Sequence, residues 1–401
     1  MTDINQKIVD RITREYKLNF GSNPKVILRS PGRINLIGEH TDYNKGFVLP
    51  SAVSLGIYFA IGECPLPSGS LAQAKPDHVH KWHALDIDES LHLGPDQLGK
   101  QRGDWSDFLH GSWLALKESN PDLPYFQVVF SGDLPMGAGM SSSSALTCGV
   151  LFGLNEIFDL KLSRLEIASL AHRVEREFIG LRGGIMDQYA SVLSKPNQFL
   201  LLDCNDLSHS SIPANENMHF FLINTNVHRE LTESGYNSRS DECALAVEQI
   251  NSHKKVKSLR DVSIEELPGF ESFIQPVPFK RAMYVLEENK RVHQAVKAIQ
   301  QSDWTLLGDI LYAGHEGLRT EFEVSIAELD FLVDDTRNED WIYGARMMGG
   351  GFGGCTINVS KHPPSEAFIK RLTEDYNARF GMNPTFIPVS LSGGTKLIER
   401  S

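Results

Sequence analysis

The stretch Ser30-Pro-Gly-Arg-Ile-Asn-Leu-Ile-Gly-Glu-His-Thr-Asp-Tyr-Asn44 carries a dense run of polar side chains at residues 39–44. Ile34, Leu36 and Ile37 precede this run, and further apolar residues follow it. Such a patch would cost free energy if it were buried without partners. A ligand with many hydroxyls would satisfy it, because each hydroxyl needs both a donor and an acceptor. The stretch therefore predicts a sugar-binding loop.

Two other interpretations of this stretch remain open. One is a solvated turn between two strands. The other is a metal site built from Glu39, His40 and Asp42. The metal site is disfavoured because adjacent side chains of an extended chain point to opposite faces.

A small-residue loop, Leu134-Pro-Met-Gly-Ala-Gly-Met-Ser-Ser-Ser-Ser-Ala145, lies between a predicted strand and a predicted helix. Gly137 and Gly139 let backbone N–H groups approach an anion, and serine is a typical residue at the start of a helix. A helix N-terminus after a glycine turn favours phosphate. The loop lacks the lysine of a Walker A motif and the third glycine of a dinucleotide fingerprint. Four serines exceed what a helix cap needs, so the loop predicts phosphate binding.

A second glycine-rich loop, Met347-Met-Gly-Gly-Gly-Phe-Gly-Gly354, formally matches the GxGxxG pattern. The residues after it, 355–359, are predicted to form a strand, whereas the dinucleotide motif requires a helix at that point. We therefore expect these glycines to let the loop pack closely against an active site or a ligand.

Two acidic residues, each considered alone, are only weak indications of a functional site. Asp187 follows Gly183 and Gly184 and, taken alone, is most typical of a helix N-cap. Glu175 lies in a predicted helix and, taken alone, is most typical of a solvated position. Neither acid predicts a function without the neighbours that a fold would give it.

The composition of the whole chain limits the class of protein. Its 401 residues are 41% hydrophobic and 22% charged, which is typical of a globular protein with about two to three domains. The formal net charge of −12 argues against generic binding to nucleic acid or anionic membranes. No apolar run is long enough to span a bilayer, and the charged N-terminus does not resemble a signal peptide. Five scattered cysteines without a CxxC pair favour a reducing cytoplasm.

Helical and strand patterns are mixed along the chain and indicate an α/β or α+β protein. The polar stretch at residues 65–83 is predicted to be an exposed excursion. Helices are predicted over residues 4–16, 144–158, 162–178, 238–251, 280–300, 304–316 and 365–380. Strands are predicted over residues 26–28, 56–62, 126–131, 199–202, 220–224, 355–359 and 386–391.

Taken together, these loops resemble the motifs of the GHMP small-molecule kinase family, in the same order and over nearly the whole chain. Residues 31–50, PGRINLIGEHTDYNKGFVLP, are similar almost letter for letter to the signature of the members that phosphorylate galactose. LPMGAGMSSSSAL resembles the ATP-phosphate loop of the family, and GGGFGGCTINV resembles its third motif. VEREFIG followed by GGIMDQ also has the form found in the family.

The resemblance implies an α+β fold with two domains. Residues 1–205 would form an N-terminal, ribosomal-S5-like α/β domain that binds the sugar and the ATP phosphates. Residues 206–401 would form a ferredoxin-like GHMP kinase domain, with the active site in the cleft between the two. The implied protein is a monomeric, cytoplasmic, ATP-dependent sugar 1-kinase that binds galactose and MgATP and neither nucleic acid nor membranes.

The resemblance also implies a role for each motif residue. Asp187 would accept or orient the proton of the anomeric hydroxyl, while Arg33 would keep Asp187 ionised and stabilise the transferred phosphoryl group. Sugar hydroxyls would contact Glu39, His40, Asp42, Gly184 and Tyr236. The ATP phosphates would contact Gly137, Gly139, Ser141, Ser142 and Ser143. Mg²⁺ would be held by Ser143 and Glu175. This set fits phosphoryl transfer, which mainly needs positioning and charge neutralisation.

The chain departs from the family pattern beside Gly184. Residues 181–184 read Leu-Arg-Gly-Gly, where the galactose-phosphorylating members commonly carry Cys before the second glycine and no nearby arginine. We expect Gly183 to add backbone freedom close to the sugar pocket. This departure leaves the choice of sugar open, whereas the kinase class follows from the other motifs.

Two alternatives to a galactose kinase follow. The first is a kinase for another sugar, such as arabinose, galacturonate or N-acetylgalactosamine. Like-charge repulsion from Glu39 and Asp42 disfavours a sugar acid. The second is a non-catalytic sensor of galactose and ATP, which is disfavoured because Arg33, Glu175, Asp187 and the serine run are all present.

Overall fold

The computed structural model describes residues 3–64, 79–94, 97, 99–135, 137–215, 218–227 and 232–401. Its helices are α1 (Asp3–Phe20), α2 (Ser106–Ser119), α3 (Ser142–Phe158), α4 (Arg164–Arg173), a π-helix (Val174–Ile179), α5 (Met186–Leu193), α6 (Thr232–Asn251), α7 (Pro276–Gln301), α8 (Trp304–Thr320), α9 (Ala327–Thr336) and α10 (Glu366–Phe380). Short 3₁₀ turns are Asp42–Asn44, Leu259–Asp261 and Leu267–Phe273. Within these residues, no helix combines the length and apolar character needed to cross a membrane.

The strands form three sheets among the described residues. They are β1 (Val26–Asn35), β2 (Phe47–Val48), β3 (Pro50–Glu63), β4 (His80–Ala84), β5 (Glu89–Leu93), β6 (Phe126–Gly132), β7 (Gln198–Asp203), β8 (His209–Pro213), β9 (His219–Asn224), β10 (Ile342–Met348), β11 (Cys355–Ser360), β12 (Thr385–Val389) and β13 (Lys396–Arg400). The sheets have strand orders β13-β1-β3-β6-β4-β5, β10-β11-β9-β12 and β2-β7-β8.

The first sheet is buried on both faces. Helix α1 covers one face, where Tyr16 packs with Tyr58 and Val129. Helices α2, α3 and α5 supply side chains to the core on the other face, which includes Phe59 and Trp113. Adjacent residues of a strand point to opposite faces, so β3 contributes to both cores. This double burial explains the nearly continuous apolar run of β3.

The second sheet has the ferredoxin-like order, with every pairing antiparallel. If its strands are counted along the chain from β9 to β12, the spatial order is 4-1-3-2. Leu222 on one face packs in a core with Leu311 of α8. Phe221 on the other face packs in a core with Leu372 of α10. The expected mixed architecture, with a ferredoxin-like second unit, is confirmed.

Among the described residues, pairings of two sets of strands cross the predicted division at residue 205, and an isolated bridge joins Val53 to Leu391. Strand β8 lies after residue 205 but pairs with β7, which lies before it. Strand β13, near the C-terminus, pairs with β1, where Val26 lies opposite Arg400. The division into 1–205 and 206–401 stays a prediction, and residues 396–400 return to the first sheet.

The predicted excursion at residues 65–83 contains part of a strand. Residues 65–78 lie outside the described residues, but His80 and Trp82 in β4 are fully buried. The imidazole of His80 lies edge-on to the indole of Trp113, with ring centroids 4.6 Å apart. Lys81 and His83 alternate with them and are half-buried. The expected exposure is wrong for residues 80–83, because the polar composition obscured the two-residue period of a strand.

Candidate active site

One cavity of about 650 Å³ lies between the two larger sheets and gathers the motifs. It is lined by all the residues for which the sequence predicted a role: Arg33, Glu39, His40, Asp42, Gly137, Gly139, Ser141, Ser142, Ser143, Glu175, Gly184, Asp187 and Tyr236. The second glycine-rich loop, residues 349–354, also lines it. The fold therefore brings together stretches that are far apart in the sequence.

Asp187 lies in the first turn of α5 and is held by two side chains. Arg33 donates from Nε to Asp187 Oδ1 at 2.7 Å and from Nη2 to Oδ2 at 3.2 Å. Ser141 Oγ donates to the same Oδ2 at 2.5 Å. The register of β1 shifts between Pro31 and Arg33. Arg33 also donates to the carbonyl of Gly139, so it lies beside the first glycine-rich loop, residues 137–143. This bidentate pair fixes the carboxylate at the cavity wall.

The first glycine-rich loop turns through left-handed backbone conformations before α3. Gly137 has φ +71°, Gly139 has φ +66° and Ser141 has φ +58°. Successive N–H groups in such conformations form an anion-binding concavity, and the N-terminus of α3 adds its dipole. Ser142 and Ser143 form the first turn of α3 and are half-buried at the cavity.

The serines do not cap α3 as the sequence suggested. Ser141 occupies the N-cap position, but its side chain makes no capping hydrogen bond. Its hydroxyl is bonded to Asp187 instead. A side-chain cap typically requires an extended backbone at the N-cap. Ser141 has a left-handed backbone instead, and its hydroxyl binds the carboxylate rather than the helix. Sequence reasoning missed this link, since Ser141 and Asp187 belong to separate motifs.

The second glycine-rich loop packs on the first, as expected. A Cβ placed on Gly349 would lie 3.4 Å from the carbonyl oxygen of Gly139. A Cβ placed on Gly354 would lie 3.9 Å from the carbonyl oxygen of Gly137. Both residues have positive φ, and strand β11 follows directly. The GxGxxG match is therefore part of a loop-on-loop contact and not of a strand–loop–helix fingerprint.

The carboxylate of Glu39 is surrounded by protein donors. Arg346 Nη2 donates to Glu39 Oε2 at 3.0 Å, and the side-chain amide of Asn35 donates to the same oxygen. The backbone N–H of Gly349 donates to Oε1. Glu39 therefore ties the polar stretch to the second glycine-rich loop. Sequence reasoning missed Arg346, although a lone arginine inside the apolar strand Ile342–Met348 was an available signal.

His40 lies in an aromatic cluster at one end of the cavity. Its Nδ1 is 2.8 Å from the hydroxyl of Tyr43. Its ring centroid is 5.3 Å from that of Tyr236 and 4.9 Å from that of Phe322. Burial, with the nearby positive charges of two arginines, lowers the pKa of His40 to about 3. The imidazole is therefore neutral at pH 7, and the cluster presents flat, uncharged surfaces to a ligand.

Asp42 lies directly against the backbone of Gly184. A Cβ placed on Gly184 would come within 2.6 Å of Asp42 Cβ. Burial, with the neighbouring charge of Asp187, raises the pKa of Asp42 to about 7. Gly183 is different, since an added Cβ would meet only the hydroxyl of Tyr236, at 3.9 Å. Neither glycine has a positive φ, so neither position needs glycine for its backbone conformation. The expectation that Gly183 adds backbone freedom stays a prediction, and the structure shows open space beside Tyr236.

We expect Gly184→Ala to weaken sugar binding about tenfold, because overpacking costs about 1–3 kcal/mol and would displace the side chain of Asp42. Gly183→Ala is the matched control and should leave the sugar KM within about twofold, since its methyl group has room. Steady-state kinetics with galactose measures both variants. Equal effects of the two substitutions would contradict the packing argument.

Glu175 lies in the π-helix, where an extra residue per turn is typical of functional sites. Its side chain is buried, and its Oε1 has no hydrogen-bond partner among the described residues. Burial raises the pKa of Glu175 to about 7. Glu175 lines the cavity and lies beside the hydroxyls of Ser144 and Thr147 in α3. A buried carboxylate oxygen without a hydrogen-bond partner there fits a hard cation such as Mg²⁺. No group of three or more His, Cys, Asp or Glu suited to a metal occurs in the described part of the chain.

Known proteins share these motifs and this architecture. The chain matches the GHMP kinases N terminal domain over residues 107–195, the GHMP kinases C terminal domain over residues 295–378 and the galactokinase galactose-binding signature over residues 14–63. It is 35% identical to the galactokinase of Clostridium beijerinckii, with 97% of this chain and 99% of the relative covered. It is 34% identical to a galactokinase of Haemophilus influenzae, with 94% and 95% covered.

Solved structures agree at the level of the fold. The crystal structure of Lactococcus lactis galactokinase complexed with galactose superposes with a TM-score of 0.90 at 30% identity, covering 98% of this chain and 100% of that one. Methanococcus jannaschii mevalonate kinase superposes with a TM-score of 0.64 at 18% identity, covering 92% and 99%, and shares the fold.

The fold, with its N-terminal and C-terminal GHMP kinase domains, and the cavity lined by glycines and serines define a small-molecule kinase of the GHMP class. Within that class, the chain belongs to the galactokinase family. It is an ATP-dependent sugar kinase, as its sequence predicted.

Proposed function

We propose that the enzyme transfers the γ-phosphoryl group of ATP to the anomeric hydroxyl of galactose at this cavity. The oxygen of that hydroxyl forms a bond to the γ-phosphorus, the bond from the γ-phosphorus to the leaving oxygen of ADP breaks, and the hydroxyl proton passes to Asp187. The single observation that carries this assignment is the Arg33–Asp187–Ser141 cluster. In this cluster the Asp187 carboxylate is held from one side by Arg33 of β1 and from the other by Ser141 of the first glycine-rich loop.

In this scheme Asp187 orients the anomeric hydroxyl and takes its proton. Arg33 holds the carboxylate by hydrogen bonds and lies close enough to the first glycine-rich loop to stabilise the transferred group, since it also contacts the carbonyl of Gly139. Ser141 holds the second carboxylate oxygen, so it acts mainly through Asp187. Positioning and charge neutralisation of this kind account for most catalysis of phosphoryl transfer.

The phosphates of ATP are proposed to bind where the two glycine-rich loops meet. The backbone N–H groups of residues 137–143 and the N-terminus of α3 supply donors and a favourable dipole. Ser142 and Ser143 add hydroxyls at the same edge. These fixed partial charges oppose the unfavourable field of a chain with a net charge of −12.

Mg²⁺ is proposed to be held by Ser143 and Glu175. Bound there, it would neutralise charge on the ATP phosphates.

Ser143→Ala should raise the Mg²⁺ concentration needed for half-maximal rate, whereas Ser142→Ala should not. The reverse result would move the ligand by one position in the serine run.

The sugar is proposed to bind against Glu39, His40, Asp42, Gly184 and Tyr236. The carboxylate of Glu39 already accepts hydrogen bonds from Asn35, Arg346 and Gly349. Only its remaining lone pairs can therefore accept a hydrogen bond from a sugar hydroxyl. The neutral ring of His40 and the carboxyl group of Asp42 supply further polar partners.

We expect galactose affinity to rise about tenfold between pH 6 and pH 8. The pKa of Asp42 is raised to about 7, so this group is mostly neutral at pH 6 and mostly ionised at pH 8. Only the ionised form accepts hydroxyl donors at both oxygens. Calorimetric titration with galactose, without nucleotide, measures the effect. Asp42→Asn should remove the pH dependence, and an unchanged slope in that variant would contradict the assignment.

The proposed reaction is tested by a panel of sugars with ATP and Mg²⁺. Galactose, its C4 epimer glucose, deoxy sugars, arabinose, galacturonate and N-acetylgalactosamine are compared by a coupled assay of ADP release. The expected result is the highest kcat/KM with galactose and a sugar 1-phosphate as product. Binding without ADP release, or preference for another sugar, would overturn the proposal.

We also propose that the enzyme acts as a monomer in the cytoplasm, with small molecules as its ligands. The five cysteines are free and buried, which suits a reducing compartment. The net charge of −12 disfavours nucleic acid and anionic membranes as partners. Light scattering during size-exclusion chromatography would show a mass near 44.8 kDa for a monomer.

A further inference from the structure

Helix α7 holds residues 38–47, here called the sugar loop, although the helix itself does not line the cavity. The hydroxyl of Tyr284 donates to the carbonyl oxygen of Glu39 at 3.0 Å. Asn289 Oδ1 accepts from the backbone N–H of Phe47 at 2.8 Å. These side chains hold the loop from a helix that packs against α6 and α8.

Glu288 is the central member of this group. Its side chain is fully buried, and its Oε1 accepts from the backbone N–H of Gly38 at 2.9 Å and from that of Glu39 at 3.4 Å. Its Oε2 accepts from Arg291 Nε at 2.7 Å. A buried carboxylate is tolerated only when it is paired and hydrogen-bonded in this way. Both of its oxygens are therefore committed to fixed partners.

The backbone that Glu288 holds is in an uncommon conformation. Gly38 has φ +96° and His40 has φ +61°. A Cβ placed on Gly38 would lie 2.8 Å from Val48 Cα, so the loop is also tightly packed there. A histidine with positive φ persists only when its surroundings enforce it. The N–H groups bonded to Glu288 belong to the two residues immediately before His40.

We propose that Glu288 is a positioning residue for sugar binding. Its charge fixes the start of the sugar loop, and through it the directions of the Glu39, His40 and Asp42 side chains, without touching the substrate. The inference rests on the proposed function of those three residues as sugar contacts. Glu288 lies outside the sequence motifs, so control of the sugar site extends to α7.

The test compares Glu288→Gln with Glu287→Gln in the full-length enzyme. Glu287 is adjacent, partly exposed and paired with the same arginine at 3.1 Å, but no hydrogen bond joins it to the sugar loop among the described residues. In Glu288→Gln the side chain loses its charge, and its NH₂ group is turned toward Arg291 or toward Gly38, both of which are donors. Galactose and ATP affinities are measured by calorimetry, KM and kcat by ADP release.

Glu288→Gln should weaken galactose binding about 10- to 100-fold, as expected for loss of a charge-assisted hydrogen bond, with ATP affinity changed less than about twofold. Glu287→Gln should leave both affinities within about twofold. Unchanged galactose affinity in Glu288→Gln, or equal loss of both ligands, would overturn the proposal.

If Glu288→Gln does not fold, Glu288→Asp decides the question, since it keeps the charge but withdraws it from the loop. A galactose KM raised at least about threefold, with kcat and the ATP KM retained, supports positioning, and an unchanged galactose KM refutes it. Failure of the proposed function is a separate result, because it would appear as absent galactose phosphorylation in the unsubstituted enzyme.

Discussion

Asp187→Ala is expected to lower kcat by about 10²–10⁴, the usual contribution of a positioned general base. The carboxylate is the group that Arg33 and Ser141 hold toward the cavity. Its removal deprives the anomeric hydroxyl of a proton acceptor and leaves Arg33 without its counter-ion. Steady-state ADP release gives kcat, and calorimetry gives galactose affinity.

The distinguishing feature is that galactose should still bind to Asp187→Ala, because the other proposed sugar contacts remain. Asp241→Ala is the matched control. It removes another carboxylate that pairs with an arginine, Arg182, but this pair is exposed at 66% for the aspartate side chain, and turnover should stay within about twofold. Near-normal kcat in Asp187→Ala would remove the proton-transfer role from this residue.

The site could be predicted from the sequence wherever its chemistry lies in a continuous stretch. The polar run at residues 39–44 and the glycine–serine loop at residues 137–143 each carry a local physical signature, and every residue chosen from them lines the cavity. The ends of α3 and α10 are also close to those predicted from periodicity. Such signals need no knowledge of distant partners.

The pairings that complete the site could not be predicted in this way. Glu39 and Arg346 are separated by 307 positions, Gly38 and Glu288 by 250. A buried acid and its partner look, in a sequence, like two ordinary charged residues, because only the fold shows that water is absent around them. Their signals are indirect, such as an arginine within an apolar strand.

The edges of the first sheet show a related limit on the prediction of strands from the sequence. Strand β13, Lys396–Arg400, is charged at three of its five positions and carries little strand signal of its own. It is a strand because β1 offers an unpaired edge. Strand β4 is polar in composition, yet buries His80 and Trp82 by alternation. Tertiary pairing decides both elements.

Arg346→Met is expected to destabilise the enzyme by about 3–5 kcal/mol, since removing one partner of a buried ion pair leaves the other charge uncompensated. Arg346 is fully buried and pairs with Glu39, which is 2% exposed. It also donates to the carbonyl oxygens of Leu36 at 2.7 Å and Met347 at 2.6 Å. The substitution therefore leaves the Glu39 carboxylate without its charged partner and several carbonyl oxygens without their donor, between the two larger sheets. Urea unfolding, followed by circular dichroism, measures the loss.

Arg371→Met is the matched control, because Arg371 pairs with three carboxylates but its side chain is 41% exposed. Solvent screening should limit its cost to about 1 kcal/mol. A second substitution, Glu39→Gln, should recover part of the loss in Arg346→Met, since it removes the stranded charge. If Arg346→Met cost no more than Arg371→Met, or if the double variant recovered nothing, the junction between the two sheets would depend on apolar packing rather than on this ion pair.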